Sequence, residues 1–95
     1  MMAGIIDFHT HYIPPEIAQH TAFFKINWSD IDKLLKSMDS QGIEKAFLFY
    51  PSTDAYLNMG GWDNVCRIYN EKISDVVSHH PDRFVGAGIR YYLYR

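Results

Sequence analysis

The order of hydrophobic and polar positions predicts three short strands separated by two helices. Residues 5–9 form an apolar, β-prone run, and the prolines at 14 and 15 prevent regular strand pairing after it. Residues 45–50 are almost continuously apolar, which is typical of a strand covered on both faces. A third strand is predicted at residues 84–89, interrupted by two glycines.

The first helix is predicted between Ser29 and Gly42. Ser29 is a favoured N-cap residue, and Asp32 stands three positions later, as in a capping box. Gly42 can adopt the left-handed conformation that ends a helix. The apolar stripe between these signals has helical spacing and consists of Ile31, Leu34, Leu35 and Met38.

The second helix has the most regular pattern in the chain. Its apolar positions recur at helical spacing over residues 65–77, and Pro81 prevents the helix from continuing. His79 and His80 fall in its last turn, where the helix dipole favours positive charge, so we expect that role for them in preference to a ligand role. Residues 12–28 and 52–62 remain as two long connections.

The alternation of strands and helices predicts an α/β fold with parallel strands joined by right-handed crossovers. The chain has 95 residues, so it cannot form a whole (β/α)8 barrel of roughly 250 residues. Gly86 and Gly88 form a Gly-x-Gly that lacks both a third glycine and a following helix. No dinucleotide-binding site is therefore predicted.

Composition excludes several classes of protein. With 9 basic and 11 acidic residues the net charge is −2, which disfavours a nucleic-acid binder. The longest apolar run, residues 46–50, is far shorter than the roughly 20 residues of a membrane span. No signal peptide is recognised, and the single Cys66, expected as a core thiol, allows no intramolecular disulfide. We therefore expect a cytoplasmic protein without membrane contact.

The candidate chemistry lies at the end of the first strand. His9 and His11 are two positions apart, so both imidazoles of an extended chain point to one side. Imidazole is a good zinc ligand, and the carboxyl ends of parallel strands are where α/β folds bind ligands. Two histidines complete no tetrahedral site, and a polar strand end is the alternative. Asp7 shares their parity and could orient a histidine or be a buried polar group.

The run Asp-Phe-His-Thr-His at residues 7–11, followed by Tyr-Ile-Pro-Pro-Glu, closely resembles the opening of the amidohydrolase superfamily. The resemblance is to its amidohydrolase-related branch of metal-dependent hydrolases and decarboxylases. It continues through the helix at residues 30–40, through Gly-Ile-Glu-Lys-Ala at residues 42–46 and through Asn70 in the second helix. It ends on His-Pro-Asp-Arg-Phe-Val-Gly at residues 80–86.

This resemblance implies that residues 1–95 are a single partial domain, the N-terminal βαβαβ portion of a (β/α)8 barrel. It implies that His9 and His11 hold a divalent metal, most often zinc. The family's further metal ligands and its catalytic aspartate have no counterpart in this chain, so no catalytic residue is assigned within it. Tyr12 and Arg90 are candidates for contact with a small-molecule substrate, and Arg90 could grip a substrate carboxylate. A solvated arginine is the alternative.

Two functional hypotheses follow. In the first, the chain is part of an enzyme that hydrolyses an amide, ester or lactone, or that decarboxylates a carboxylate without oxidation. The isolated 95-residue chain is then expected to be inactive. The second is a non-enzymatic α/β module that folds by self-association or with a partner chain. An open sheet of three strands has two bare edges, and a partner would cover them.

Overall fold

The central element of the structure is a parallel sheet of three strands. The computed structural model describes residues 4–21, 28–51 and 53–89. Its strands are β1 (Ile5–His11), β2 (Ile43–Phe49) and β3 (Phe84–Gly86), in the order β1-β2-β3, and both pairings are parallel. The α/β prediction with parallel strands is therefore confirmed.

Helices fill the connections between the strands. A short helix α1 (Pro15–Ala18) and then α2 (Ile31–Gln41) lie between β1 and β2. A 3-10 helix (Ala55–Asn58) and the long α3 (Trp62–His79) lie between β2 and β3. Both long helices were predicted, whereas α1 and the 3-10 helix fall in segments that carry no regular apolar period.

The start of α2 differs from the prediction by one residue. Asp30, not Ser29, is the N-cap: its backbone is extended, and its carboxylate accepts a hydrogen bond of 3.1 Å from the Lys33 amide. Aspartate caps a helix at least as well as serine does, so the later of two good caps is used. The predicted stop is confirmed, since Gly42 has the left-handed φ of 71°.

The helices cover only one face of the sheet. Ala46 and Leu48 of β2 are buried in a core with residues of α2 and α3. Alternation along the strand places Phe47 and Phe49 on the other face, which we call the open face. Phe8 and Val85 are 66% and 37% exposed. The expectation that β2 is covered on both faces is thus wrong for the described residues, because no helix lies over the open face.

Arg83 ties the amino ends of the sheet to the end of α2. Its Nε donates to the Glu44 carbonyl at 2.9 Å. Its terminal nitrogen donates to the Ile43 carbonyl at 3.2 Å and to the Asp39 carboxylate at 2.8 Å. One guanidinium therefore donates hydrogen bonds to two main-chain carbonyls and to one carboxylate. The ammonium group of lysine cannot reproduce this arrangement of donors.

Strand β3 ends at Gly86, earlier than the predicted residue 89, and a side chain pairs with the main chain beyond its end. The Asn70 Nδ2 donates to the Ile89 carbonyl at 2.8 Å, and the Ile89 amide donates to the Asn70 Oδ1 at 2.8 Å. The carboxamide thus replaces a neighbouring strand. Close approach of α3 also requires the glycine at 86, since a Cβ there would lie 2.7 Å from the Ile73 Cγ1.

Asn70→Asp is expected to lower the free energy of unfolding by about 1–3 kcal/mol at neutral pH, because a carboxylate cannot donate to the Ile89 carbonyl and repels it. Urea unfolding measures the loss, and part of it should return at acidic pH when the carboxyl regains a proton. Asn58→Asp is the matched control, since the Asn58 Nδ2 lies 3.5 Å from its acceptor. Equal losses in the two variants would contradict the pairing role of Asn70.

Candidate metal site

The two histidines of β1 converge at the carboxyl end of the sheet. The Nε2 atoms of His9 and His11 lie 2.8 Å apart, and their ring centroids lie 4.8 Å apart. The predicted placement on one side of the strand therefore agrees with the structure. At this distance the N–H of one Nε2 donates a hydrogen bond to the other Nε2. The same two atoms are those that could contact one ion together.

The strand reaches this arrangement through an extra residue in its pairing. Asp7 pairs with Ala46 and Thr10 pairs with Leu48, so three steps on β1 match two on β2. This is the register change of a β-bulge, which re-aims side chains. Past it, His11 pairs with Phe49 on the open face.

The bulge also separates Asp7 from the two imidazoles. Its partner Ala46 belongs to the face that the helices cover, so the prediction that Asp7 shares the histidines' face is wrong. The Asp7 Oδ1 instead accepts a hydrogen bond of 2.9 Å from the His9 amide. Simple alternation fails here because it assumes one residue on β1 for each residue on β2.

Aromatic rings surround the two imidazoles. His9 stacks on Phe49 with ring centroids 5.2 Å apart, and His11 meets Trp28 edge to face at 4.9 Å. One step deeper on the open face, Phe8 packs on Phe47 at 5.2 Å. Sequence reasoning assigned Phe49 to a strand and Trp28 to the end of the loop after the first strand, and it predicted neither of these ring contacts.

Burial and the neighbouring charge of His9 lower the pKa of His11 below its ordinary value. Both causes disfavour the imidazolium, and burial is the larger. A metal binds the neutral imidazole, so the environment favours the protonation state that a ligand needs. When both rings carry their hydrogen on Nδ1, the two converging Nε2 atoms form a neutral donor set that fits a borderline divalent cation such as zinc.

The pair does not complete a metal site by itself. Within residues 4–21, 28–51 and 53–89, no group of three or more His, Cys, Asp and Glu side chains lies close enough to hold an ion. Zinc in catalytic sites takes about three protein ligands and keeps one open position. Further ligands would have to come from outside this part of the chain.

Tyr12, one of the two other candidates for substrate contact, does not lie beside the pair. Tyr12 is 5% exposed and packs in the core on the helix side, where its ring lies 6.5 Å from that of Tyr69. It borders a cavity of about 460 Å³ with residues at the start of α2. Arg90 lies outside the described residues. The roles proposed for Tyr12 and Arg90 stay predictions.

The remaining thiol and the helix-terminal histidines have structural surroundings. Cys66 is buried, as expected of a core thiol, and burial raises its pKa. The His79 Nδ1 lies 2.7 Å from the Asp75 carbonyl, within its own helix. The His80 ring packs edge to face against Phe84. These contacts agree with a structural role for both histidines at the end of α3.

Three tyrosines form a cluster under this end of the sheet. Tyr69 is fully buried, lies 5.0 Å from the Tyr50 ring, and has no hydrogen-bond partner for its hydroxyl among the described residues. Burial, and then the charge of Glu16, raises the pKa of Tyr12 to about 12. Burial also raises the pKa values of Tyr69 and Tyr50 above their ordinary value.

These raised pKa values predict that the free energy of unfolding falls at alkaline pH. A raised phenol pKa in the folded state means that stability is complete below the ordinary value of 10.0 and is lost as pH rises toward 12. For Tyr12 the loss should reach about 2–3 kcal/mol. Urea unfolding across this range, with phenolate absorbance followed in parallel, measures it. Tyr12→Phe should reduce the alkaline loss by that amount, and the exposed Tyr56→Phe is its control. An unchanged profile in Tyr12→Phe would contradict the assignment.

No helix in the described parts of the chain combines the length and the apolar character that crossing a membrane requires.

Comparison with known proteins finds solved structures of similar fold. No protein-family model matches the sequence, and no curated protein matches it. The structure is similar to that of a 2,6-dihydroxybenzoate decarboxylase from Rhizobium, with a TM-score of 0.64 and 24% identity over 92% of this chain. A 2,6-dihydroxybenzoate decarboxylase complexed with 2,6-dihydroxybenzoate gives 0.66 and 25% over 92%. A Staphylococcus aureus protein described as an amidohydrolase gives 0.67 and 21% over 90%.

This chain spans 28–31% of the length of those proteins. They have amidohydrolase-superfamily folds and are TIM-barrel enzymes. The three strands and their crossover helices therefore match a part of such a fold, and the full barrel is not formed by the described residues.

Proposed function

We propose that this chain is part of a metal-dependent enzyme of the amidohydrolase superfamily, in its amidohydrolase-related branch. The reaction is hydrolysis of an amide, ester or lactone, or non-oxidative decarboxylation of a small carboxylate, in the cytoplasm. Residues 1–95 form a partial domain within a (β/α)8 barrel. The isolated chain is inactive, because the remaining ligands and the catalytic acid–base group lie on other strands.

The convergence of His9 and His11 supports this proposal most strongly. Their Nε2 atoms lie 2.8 Å apart at the carboxyl end of a parallel sheet, which is the end where barrel enzymes carry out their chemistry. The same fold occurs as part of the decarboxylase and of the amidohydrolase described above.

In this proposal His9 and His11 contribute two ligands to a zinc ion or a similar divalent cation. The bound cation would lower the pKa of a water molecule and polarise a substrate carbonyl or carboxylate. Asp7 fixes the main chain of His9 through its hydrogen bond of 2.9 Å. The lowered pKa of His11 favours the neutral ring that binds a cation.

Metal dependence tests this function. A polypeptide that contains this chain and the remaining strands should lose turnover when a chelator removes its metal and regain it when zinc is returned. The 95-residue chain alone should bind the ion without turnover of 2,6-dihydroxybenzoate or of an aryl ester. Turnover that survives metal removal would refute the metal-enzyme proposal.

The open face favours one alternative, a non-enzymatic module that self-associates or binds a partner chain. Ile6 and Phe8 of β1 are 45% and 66% exposed, and Val85 of β3 is 37% exposed. Exposed apolar patches commonly mark interaction sites. Analytical ultracentrifugation of the purified chain should then show a species larger than 11.1 kDa. A monomer at every concentration would count against self-association.

A further inference from the structure

Each imidazole of the pair packs against its own aromatic ring. His9 lies nearly parallel to Phe49, at an interplanar angle of 19°. His11 meets Trp28 edge to face, at an interplanar angle of 82°. Phe49 and Trp28 together form an aromatic brace that contacts the pair from two directions.

Main-chain hydrogen bonds attach the brace to the strand that carries the histidines. The Phe49 carbonyl accepts from the Tyr12 amide at 2.9 Å, and the Trp28 carbonyl accepts from the Ile13 amide at 3.0 Å. Phe49 is also the pairing partner of His11 in the sheet. The brace is therefore hydrogen-bonded to the two residues that directly follow His11.

We propose that Phe49 and Trp28 are positioning residues, which hold His9 and His11 with their Nε2 atoms converging before a metal ion binds. The inference rests on the proposed function for the identity of the ligand. His9 is exposed at the strand end, and an unsupported side chain there would sample several staggered rotamers. Ring contacts order it during folding, so less entropy is lost when the ion binds.

Cobalt(II) binding by the 95-residue chain measures the effect, through calorimetry and the visible spectrum of the bound ion. Phe49→Leu and Trp28→Leu should each weaken cobalt binding about three- to tenfold, the range expected for one aromatic contact. Phe49→Tyr and Trp28→Phe keep a ring in place and should stay within about twofold of the wild type.

Matched controls separate positioning from a general loss of aromatic packing. Phe47→Leu removes the same ring from the same face of the same strand, but Phe47 packs on Phe8 and not on a histidine. Trp62→Leu removes the other tryptophan, which packs against Tyr50 at 5.7 Å. Neither control should change cobalt affinity.

A second readout needs no metal. In NMR spectra of the metal-free chain, the His9 side chain should occupy one χ1 rotamer in the wild type and in Phe47→Leu, and several in Phe49→Leu. A wild-type chain that binds no cobalt would refute the proposed metal site, and the rotamer comparison would still decide the positioning role. Equal cobalt affinity in Phe49→Leu and Phe47→Leu, or a single His9 rotamer in Phe49→Leu, would overturn the positioning role of Phe49.

Discussion

His9→Ala and His11→Ala are each expected to abolish measurable zinc or cobalt binding by the chain at micromolar concentrations. The two Nε2 atoms lie 2.8 Å apart, so one ion can contact both, and either substitution leaves a single imidazole. The affinity lost should exceed the roughly 10- to 100-fold that removal of an outer-shell partner costs a metal site. Isothermal titration calorimetry at a pH above the ordinary histidine pKa gives the comparison.

His79→Ala is the matched control for these two variants, because its ring nitrogen already contacts the Asp75 carbonyl within α3. It should bind zinc as the wild type does. Circular dichroism should show the same helix content in all three variants, since none of these histidines lies in the core. Zinc affinity that falls in His79→Ala and stays constant in His9→Ala would place the ion at the end of α3 and contradict its assignment to His9 and His11.

Leu48→Ala is expected to lower the free energy of unfolding by about 2–5 kcal/mol. Leu48 is fully buried between the sheet and the helices, and truncation leaves a cavity that the packed surroundings cannot fill. A small domain has a total stability of about 5–15 kcal/mol, so this one change can remove much of it. Urea unfolding gives the value, and the milder Leu48→Val gives a second point if Leu48→Ala does not fold.

Phe8→Ala provides the contrast on the open face. Phe8 is 66% exposed, so its truncation should cost less than about 1 kcal/mol in a monomer, even with its contact to Phe47. A cost equal to that of Leu48→Ala would mean that the open face is covered in solution. It would then favour the self-associating module over a bare segment of a barrel.

The element order could be predicted from the sequence because its signals are local. The period of α3, the glycine at the end of α2 and the apolar run of β2 each depend on neighbours along the chain. Cap choice at α2 failed by one residue because Ser29 and Asp30 are both good caps, and only three-dimensional contacts distinguish them.

Register and cross-strand contacts could not be predicted in the same way. The bulge after Asp7 depends on how β1 pairs with β2, and it separates Asp7 from the histidines. The two hydrogen bonds between Asn70 and the main chain of Ile89 join positions nineteen residues apart. The convergence of His9 and His11 was predictable from their spacing alone, whereas the contact with Trp28 joins segments that the sequence pattern does not relate.

Zinc K-edge X-ray absorption on a chain that retains only His9 and His11 tests the central claim most directly. The chain has five histidines, and a variant with His20→Ala, His79→Ala and His80→Ala removes the other three. The proposed site predicts a zinc shell with two imidazole nitrogens at about 2.0–2.1 Å and oxygen ligands in the remaining positions. A shell of oxygen alone, or a variant that binds no zinc, would contradict the assignment of His9 and His11 as metal ligands.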